Sequence, residues 1–118
     1  MIMTTYKNIA KMYKALSDPN RLRILHILRQ RMLCVCEITD ILELATSTVS
    51  KHLSILQNAG FIQQEKDGKW VNYYINPHPS DVKTAAFISA MEFWIENEQT
   101  KADEEKAKVV DREKISSG

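Results

Sequence analysis

The sequence predicts a mainly α-helical fold with one β-hairpin, in the order ααα-α-ββ-α. Three observations carry that expectation. Apolar residues recur at helical spacing through most of residues 6–60; an aromatic and β-branched run brackets an Asp-Gly turn within 61–75; and a strongly apolar segment follows. At 118 residues the chain fits one domain, expected over 1–98, with a charged tail over 99–118. Three glycines and three prolines are too few for a linker, and a 44% hydrophobic share excludes disorder through most of the chain. No apolar run approaches the ~20 residues of a membrane helix, and MIMTTYKNIAKMYKAL lacks the apolar core of a signal peptide. Two cysteines two positions apart cannot frame a disulfide scaffold, so a cytoplasmic location is expected.

Ile9, Met12, Tyr13 and Leu16 fall at i, i+3, i+4 and i+7 and define the first helix. Asp18-Pro19 interrupts it and starts the second, since proline suits a first helical turn and aspartate before it caps free N–H groups. Leu22, Ile24, Leu25, Ile27 and Leu28 are its expected core residues, with Arg21, Arg23 and Arg29 outside. After the apolar stretch Met32-Leu33-Cys34-Val35-Cys36, Ile38, Ile41 and Leu42 resume helical spacing up to Glu43-Leu44. Thr46-Ser47-Thr48 then offers cap candidates, Val49, Leu53 and Leu56 form the next stripe, and Gly60 suits a left-handed helix end. Two helices joined by a tight turn, the second polar outside, read as a helix-turn-helix. The hairpin directly after it, Phe61-Ile62 and Trp70–Ile75 around Asp67-Gly68, reads as a wing.

The last helix, expected from near Ser80-Asp81, is apolar on nearly every side, and such a helix needs cover on more than one face. A domain this small covers one of them. The expectation is therefore a homodimer through the first and last helices, with Tyr6, Ile9, Val82, Ala86, Ser89, Ala90, Phe93 and Trp94 at the interface. Beyond Glu96 the larger apolar residues are Val109, Val110 and Ile115, so the tail is expected to be frayed or disordered.

A net charge of +1 conceals segregation, because residues 1–33 carry seven cationic side chains against Asp18 alone. A polar helix N-terminus with hydroxyls suits phosphate and base-edge contacts, which singles out Thr46, Ser47, Thr48, Ser50, Lys51 and His52 as DNA-binding candidates. Lys66 and Lys69, flanking the wing tip, suit backbone contact. Trp70, Tyr73 and Tyr74 read as sheet packing. The expected partner is double-stranded DNA.

Cys34 and Cys36 are the sharpest chemical signal, since thiolates select soft, thiophilic ions. Neighbouring Arg29 and Arg31 and a nearby helix start are expected to favour the thiolate. Side chains two apart on an α-helix point ~200° apart, so if residues 34–36 are helical, chelation must unwind them.

Leu16–Leu25 (LSDPNRLRIL), Cys34-Val35-Cys36, Ser47–Leu53 (STVSKHL), Asn58-Ala59-Gly60 and Gly68–Tyr74 (GKWVNYY) together resemble the ArsR/SmtB family of winged-helix metalloregulatory repressors, over roughly residues 6–95. The resemblance implies a homodimer that leaves its operator when arsenite or antimonite binds, and it places that inducer on Cys34 and Cys36 without an organic cofactor. Where arsenite-responsive relatives carry a third cysteine, this chain has Thr39, so either water, an exogenous thiol or one of the same two cysteines of the partner subunit completes the site, or the site is a dithiol that responds to another ion. Zinc-sensing relatives place Asp-x-His on the last helix, whereas here Asp81-Val82-Lys83 stands with no later histidine. No catalytic signature is present. The alternatives are a thiol-redox-responsive repressor on the same scaffold and a winged-helix protein-interaction module that does not bind DNA.

Overall fold

The fold is described from a computed structural model over residues 5–77, 82–91 and 98–117. Thr5 caps α1 (Tyr6–Ala15) by accepting from the Asn8 amide. Asp18 does the same for α2 (Pro19–Leu28), accepting from the amides of Asn20 at 2.8 Å and Arg21 at 3.3 Å with Pro19 in the first turn. A two-residue strand β1 (Leu33–Cys34) precedes α3 (Val35–Leu42), and α4 (Thr46–Asn58) follows a turn in which Glu43 takes a left-handed conformation. Gly60, at φ +88°, closes α4, with the Phe61 amide reaching back to the Leu56 carbonyl at 3.1 Å.

The hairpin consists of β2 (Ile62–Asp67) and β3 (Trp70–Ile75), joined through Gly68-Lys69, one residue later than the sequence suggests. β1 pairs with β3, Cys34 opposite Asn72, so the sheet order is β1-β3-β2 and all pairs are antiparallel. This third strand is too short to be read from periodicity. It ties the cysteine segment to the wing.

The core lies where α2, α3 and α4 meet: Ile24, Leu25, Ile27, Ile38, Ile41, Val49, Leu53, Leu56 and Phe61 are inaccessible to solvent. Each such side chain removed from water stabilises the fold by about 1.5–3 kcal/mol. From α5 (Val82–Ala90), Phe87 packs edge-on to Phe61 with centroids 5.5 Å apart, and the Thr84 hydroxyl approaches Met12 Sδ of α1 at 3.9 Å.

The tail departs from expectation. Residues Glu98–Val109 form α6 and Arg112–Ser117 form α7, both docked on the domain. Few apolar groups hold them, chiefly Ala107, so the attachment is largely polar. Arg23 forks onto Asp103 at 2.9 and 3.0 Å, His26 Nε2 meets Glu104 at 2.9 Å, and Arg31 donates to the carbonyls of Ala107 at 2.9 Å and Val110 at 2.8 Å. Asp103 is 1% exposed and also accepts from Gln99.

Candidate metal centre and nucleic-acid interface

Cys34 is the last residue of β1 and the N-cap of α3, with extended backbone (φ −86°, ψ 167°), while Cys36 sits in the first helical turn. The helical condition under which the two side chains would diverge is therefore not met at Cys34. Because Cys34 lies outside the helix, its Sγ points at that of Cys36, 2.7 Å away, so the two sulfurs share one side. Glu37 fixes the segment by accepting from the Cys34 amide at 2.9 Å through Oε1 and from Arg31 at 2.9 Å through Oε2.

The protonation state also reverses the expectation. Burial, with the Cys36 hydrogen bond second, pushes the Cys34 thiol up to about 12, only partly offset by the Glu37 backbone amide. Arg31 does not stabilise a thiolate because Glu37 and two carbonyls occupy its guanidinium. Cys34 is 1% exposed and Cys36 half-buried, so the approach is from the Cys36 side. Two sulfurs on one side suit a soft ion. Thr39 does not complete the set: its hydroxyl donates to the Val35 carbonyl at 2.7 Å, and no group of three or more His, Cys, Asp or Glu is placed to hold a metal ion among the described residues.

The recognition helix α4 buries Val49, Leu53 and Leu56 and exposes Thr46, Ser47, Thr48, Ser50 and Lys51. Ala45 is its N-cap, without a side-chain bond, so the three hydroxyls of residues 46–48 lie in the first turn rather than capping it. His52 turns inward and is corrected as a candidate DNA contact. Its ring is buried, with Nδ1 3.1 Å from Arg21 Nη1 and Nε2 3.9 Å from Asp18. A guanidinium only donates, so Nδ1 is the acceptor. Arg21 also donates to the carbonyls of Ala15 at 2.7 Å and Lys14 at 3.2 Å, joining the end of α1 to α4. Lys66 and Lys69 are exposed at the wing, and Lys69 Nζ stands 4.7 Å over the Trp70 ring.

Of the expected interface residues, Tyr6 is 93% exposed, Ala86 and Ser89 are exposed, and Ile9 and Ala90 are half-buried. Phe93 and Trp94 lie outside the described residues, as does the side chain of Val82. Sequence reasoning did not find the partners of Arg21, Arg31, Glu37 and Arg112, which the fold brings together.

A helix-turn-helix with an outward polar second helix and an adjoining wing is the architecture of DNA-binding transcriptional regulators. Residues 18–64 match the family described as bacterial regulatory protein, arsR family. The chain is 43% identical over 74 residues to an uncharacterized HTH-type transcriptional regulator, MJ1325, of Methanocaldococcus jannaschii, covering 62% of this chain and 83% of that one. It is 38% identical over 87 residues to a cadmium resistance transcriptional regulatory protein CadC homolog of Staphylococcus aureus, covering 72% of each. With the arsenic resistance transcriptional regulator ArsR1 of Pseudomonas putida it shares 36% over 87 residues, 70% of this chain and 68% of the other. The solved structure of HlyU from Vibrio cholerae superposes with a TM-score of 0.64 at 26% identity, over 78% of this chain and 96% of that one. The chain belongs to the ArsR family of transcriptional repressors.

Proposed function

We propose that this protein is a cytoplasmic homodimeric repressor that leaves an inverted-repeat operator when arsenite or antimonite is held by Cys34 and Cys36. The convergence of the two sulfurs at 2.7 Å, at the start of the helix that packs on the recognition helix, carries the reading. Relatives named for arsenic and for cadmium resistance support an inducer of this chemical class. The exposed α1 residue Tyr6 and α5 residues Ala86 and Ser89 support a partner there. The trivalent metalloid supplies bonds to sulfur. The chain supplies the rest: β1 holds Cys34 extended against Asn72, Glu37 fixes its amide, and α3 transmits any shift to α4 through Ile38, Ile41 and Leu42.

A gel shift of the full chain on its own upstream DNA, with arsenite, antimonite, Cd²⁺ or a thiol oxidant, tests this. Release by the metalloids and not by the oxidant is expected. Release by the oxidant alone makes the protein a redox repressor, and absence of any DNA complex makes the fold an interaction module.

Two further results are expected. Lys51→Ala weakens operator binding and lowers the salt slope by about one unit, the signature of one lost phosphate contact. An unchanged slope removes Lys51 from the contact set. The second concerns pH. Condensation of arsenite, a neutral triol, with two thiols expels two waters and no net proton, whereas Cd²⁺ must expel thiol protons. Since burial keeps Cys34 protonated, with its thiol pushed up to about 12, arsenite affinity should be nearly flat from about pH 6 to 8 while Cd²⁺ affinity rises about tenfold per pH unit for each proton expelled. Competition binding at the two pH values reads both.

A further inference from the structure

The two C-terminal helices reach the wing through Arg112. Arg112 donates from Nη2 to Asp67 at 2.7 Å and from Nη1 to Asn72 at 2.9 Å, and its guanidinium carbon lies 4.2 Å over the Trp70 ring. These partners span the hairpin: Asp67 ends β2, Trp70 begins β3 opposite it, and Asn72 is the residue paired with Cys34. The arm that delivers Arg112 is fixed at its base by the Arg23–Asp103 fork, the His26–Glu104 contact, and Arg31 on the carbonyls of Ala107 and Val110.

The charge pattern gives this contact a role. Asp67 is an acidic side chain between Lys66 and Lys69, at the hairpin end that would pass a DNA phosphate. A bare carboxylate there repels the backbone. Arg112 satisfies it in a charge-assisted bond and holds its carboxyl below the usual carboxylate range. Its flat guanidinium also covers the Trp70 ring, as a planar cation does well.

We propose that Arg112 is a positioning residue for DNA recognition: the α6–α7 arm clamps the hairpin against the cysteine segment and masks the wing-tip carboxylate of Asp67. This rests on the reading of the chain as an operator-binding protein. The clamp touches both ends of the signalling path, since Arg31 shares Glu37 with the Cys34 amide and Arg112 shares the strand that Cys34 pairs with. A shift of Cys34 therefore bears on the wing as well as on α4.

The test uses the full chain without any ion. Hydrogen exchange of the hairpin amides is measured in the free protein, and operator affinity is measured by anisotropy across a salt series. Arg112→Ala should speed hairpin exchange severalfold and weaken DNA binding about fivefold, the scale of one well-made exposed ion pair. Arg112→Ala with Asp67→Asn should recover most of the affinity while exchange stays fast, because the charge is gone but the clamp is not rebuilt. The proposal is overturned if Arg112→Ala changes neither readout. It is also overturned if affinity falls with a salt slope lower by about one unit and the double substitution does not recover it, which would make Arg112 a phosphate contact itself. If the wild-type chain forms no DNA complex, the operator reading fails while the exchange data still report on the clamp.

Discussion

Replacing either Cys34 or Cys36 by serine is expected to leave operator binding intact and to abolish arsenite-induced release. The structure explains why the first half should hold. Cys34 occupies a helix N-cap, a position where serine is among the best residues, and its amide bond to Glu37 does not involve the side chain. Cys36 is half-buried in the first turn, where a hydroxyl stays open to water. The second half follows from the loss of the chelate: with one thiol, binding forfeits the intramolecular second contact, about 10²–10⁴-fold in affinity. Titration of a labelled operator complex with arsenite measures it. A single variant that still dissociates at the wild-type concentration shows that the pair is not the sensor. Loss of DNA binding by both would make these cysteines packing residues.

The second large effect concerns the tail. Arg23→Ala strips the bidentate charge partner from Asp103, a carboxylate 1% exposed that also accepts from Gln99. Removing one partner of a buried pair costs more than the pair contributes, because the other charge stays desolvated. Since Arg23 is itself 24% exposed, the expected loss is about 2–4 kcal/mol, or roughly 10 °C in Tm. Arg23→Met combined with Asp103→Leu should restore most of it, since an apolar pair of similar volume carries no desolvation cost. Thermal unfolding of the three proteins decides. A loss below about 0.5 kcal/mol for Arg23→Ala would mean that α6 is held by other contacts.

What the sequence disclosed follows the range of each interaction. The Asp18-Pro19 start of α2, the Val49, Leu53 and Leu56 stripe and the Gly60 stop are local devices, readable within a few residues, and all stand in the structure. His52 was legible too: it lies three residues after Val49 and four before Leu56, on the buried stripe, and its polarity alone placed it outside. The cysteine geometry was not. Whether Cys34 lies in the helix or ahead of it is decided by pairing with Asn72, 38 positions away, which no local pattern encodes. The tail was misjudged because apolar content is the usual index of docking, whereas here Arg23, His26 and Arg31 reach partners some 80 residues distant. Good helix formers in 98–109 were the available signal.

The Arg21 fork has a consequence for how DNA is measured. It binds the last carbonyls of α1 and the ring of His52 in α4, so the helix expected to face the partner and the helix expected to enter the groove share one guanidinium. In a dimer built on α1, the separation and tilt of the two recognition helices are then set by hydrogen bonds of fixed length rather than by a compliant loop. Inserting one base pair between half-sites turns the second by about 35° around the duplex axis. In the dimer proposed above this linkage resists an independent swing of α4, so operator affinity is expected to depend on spacer length as well as on the bases.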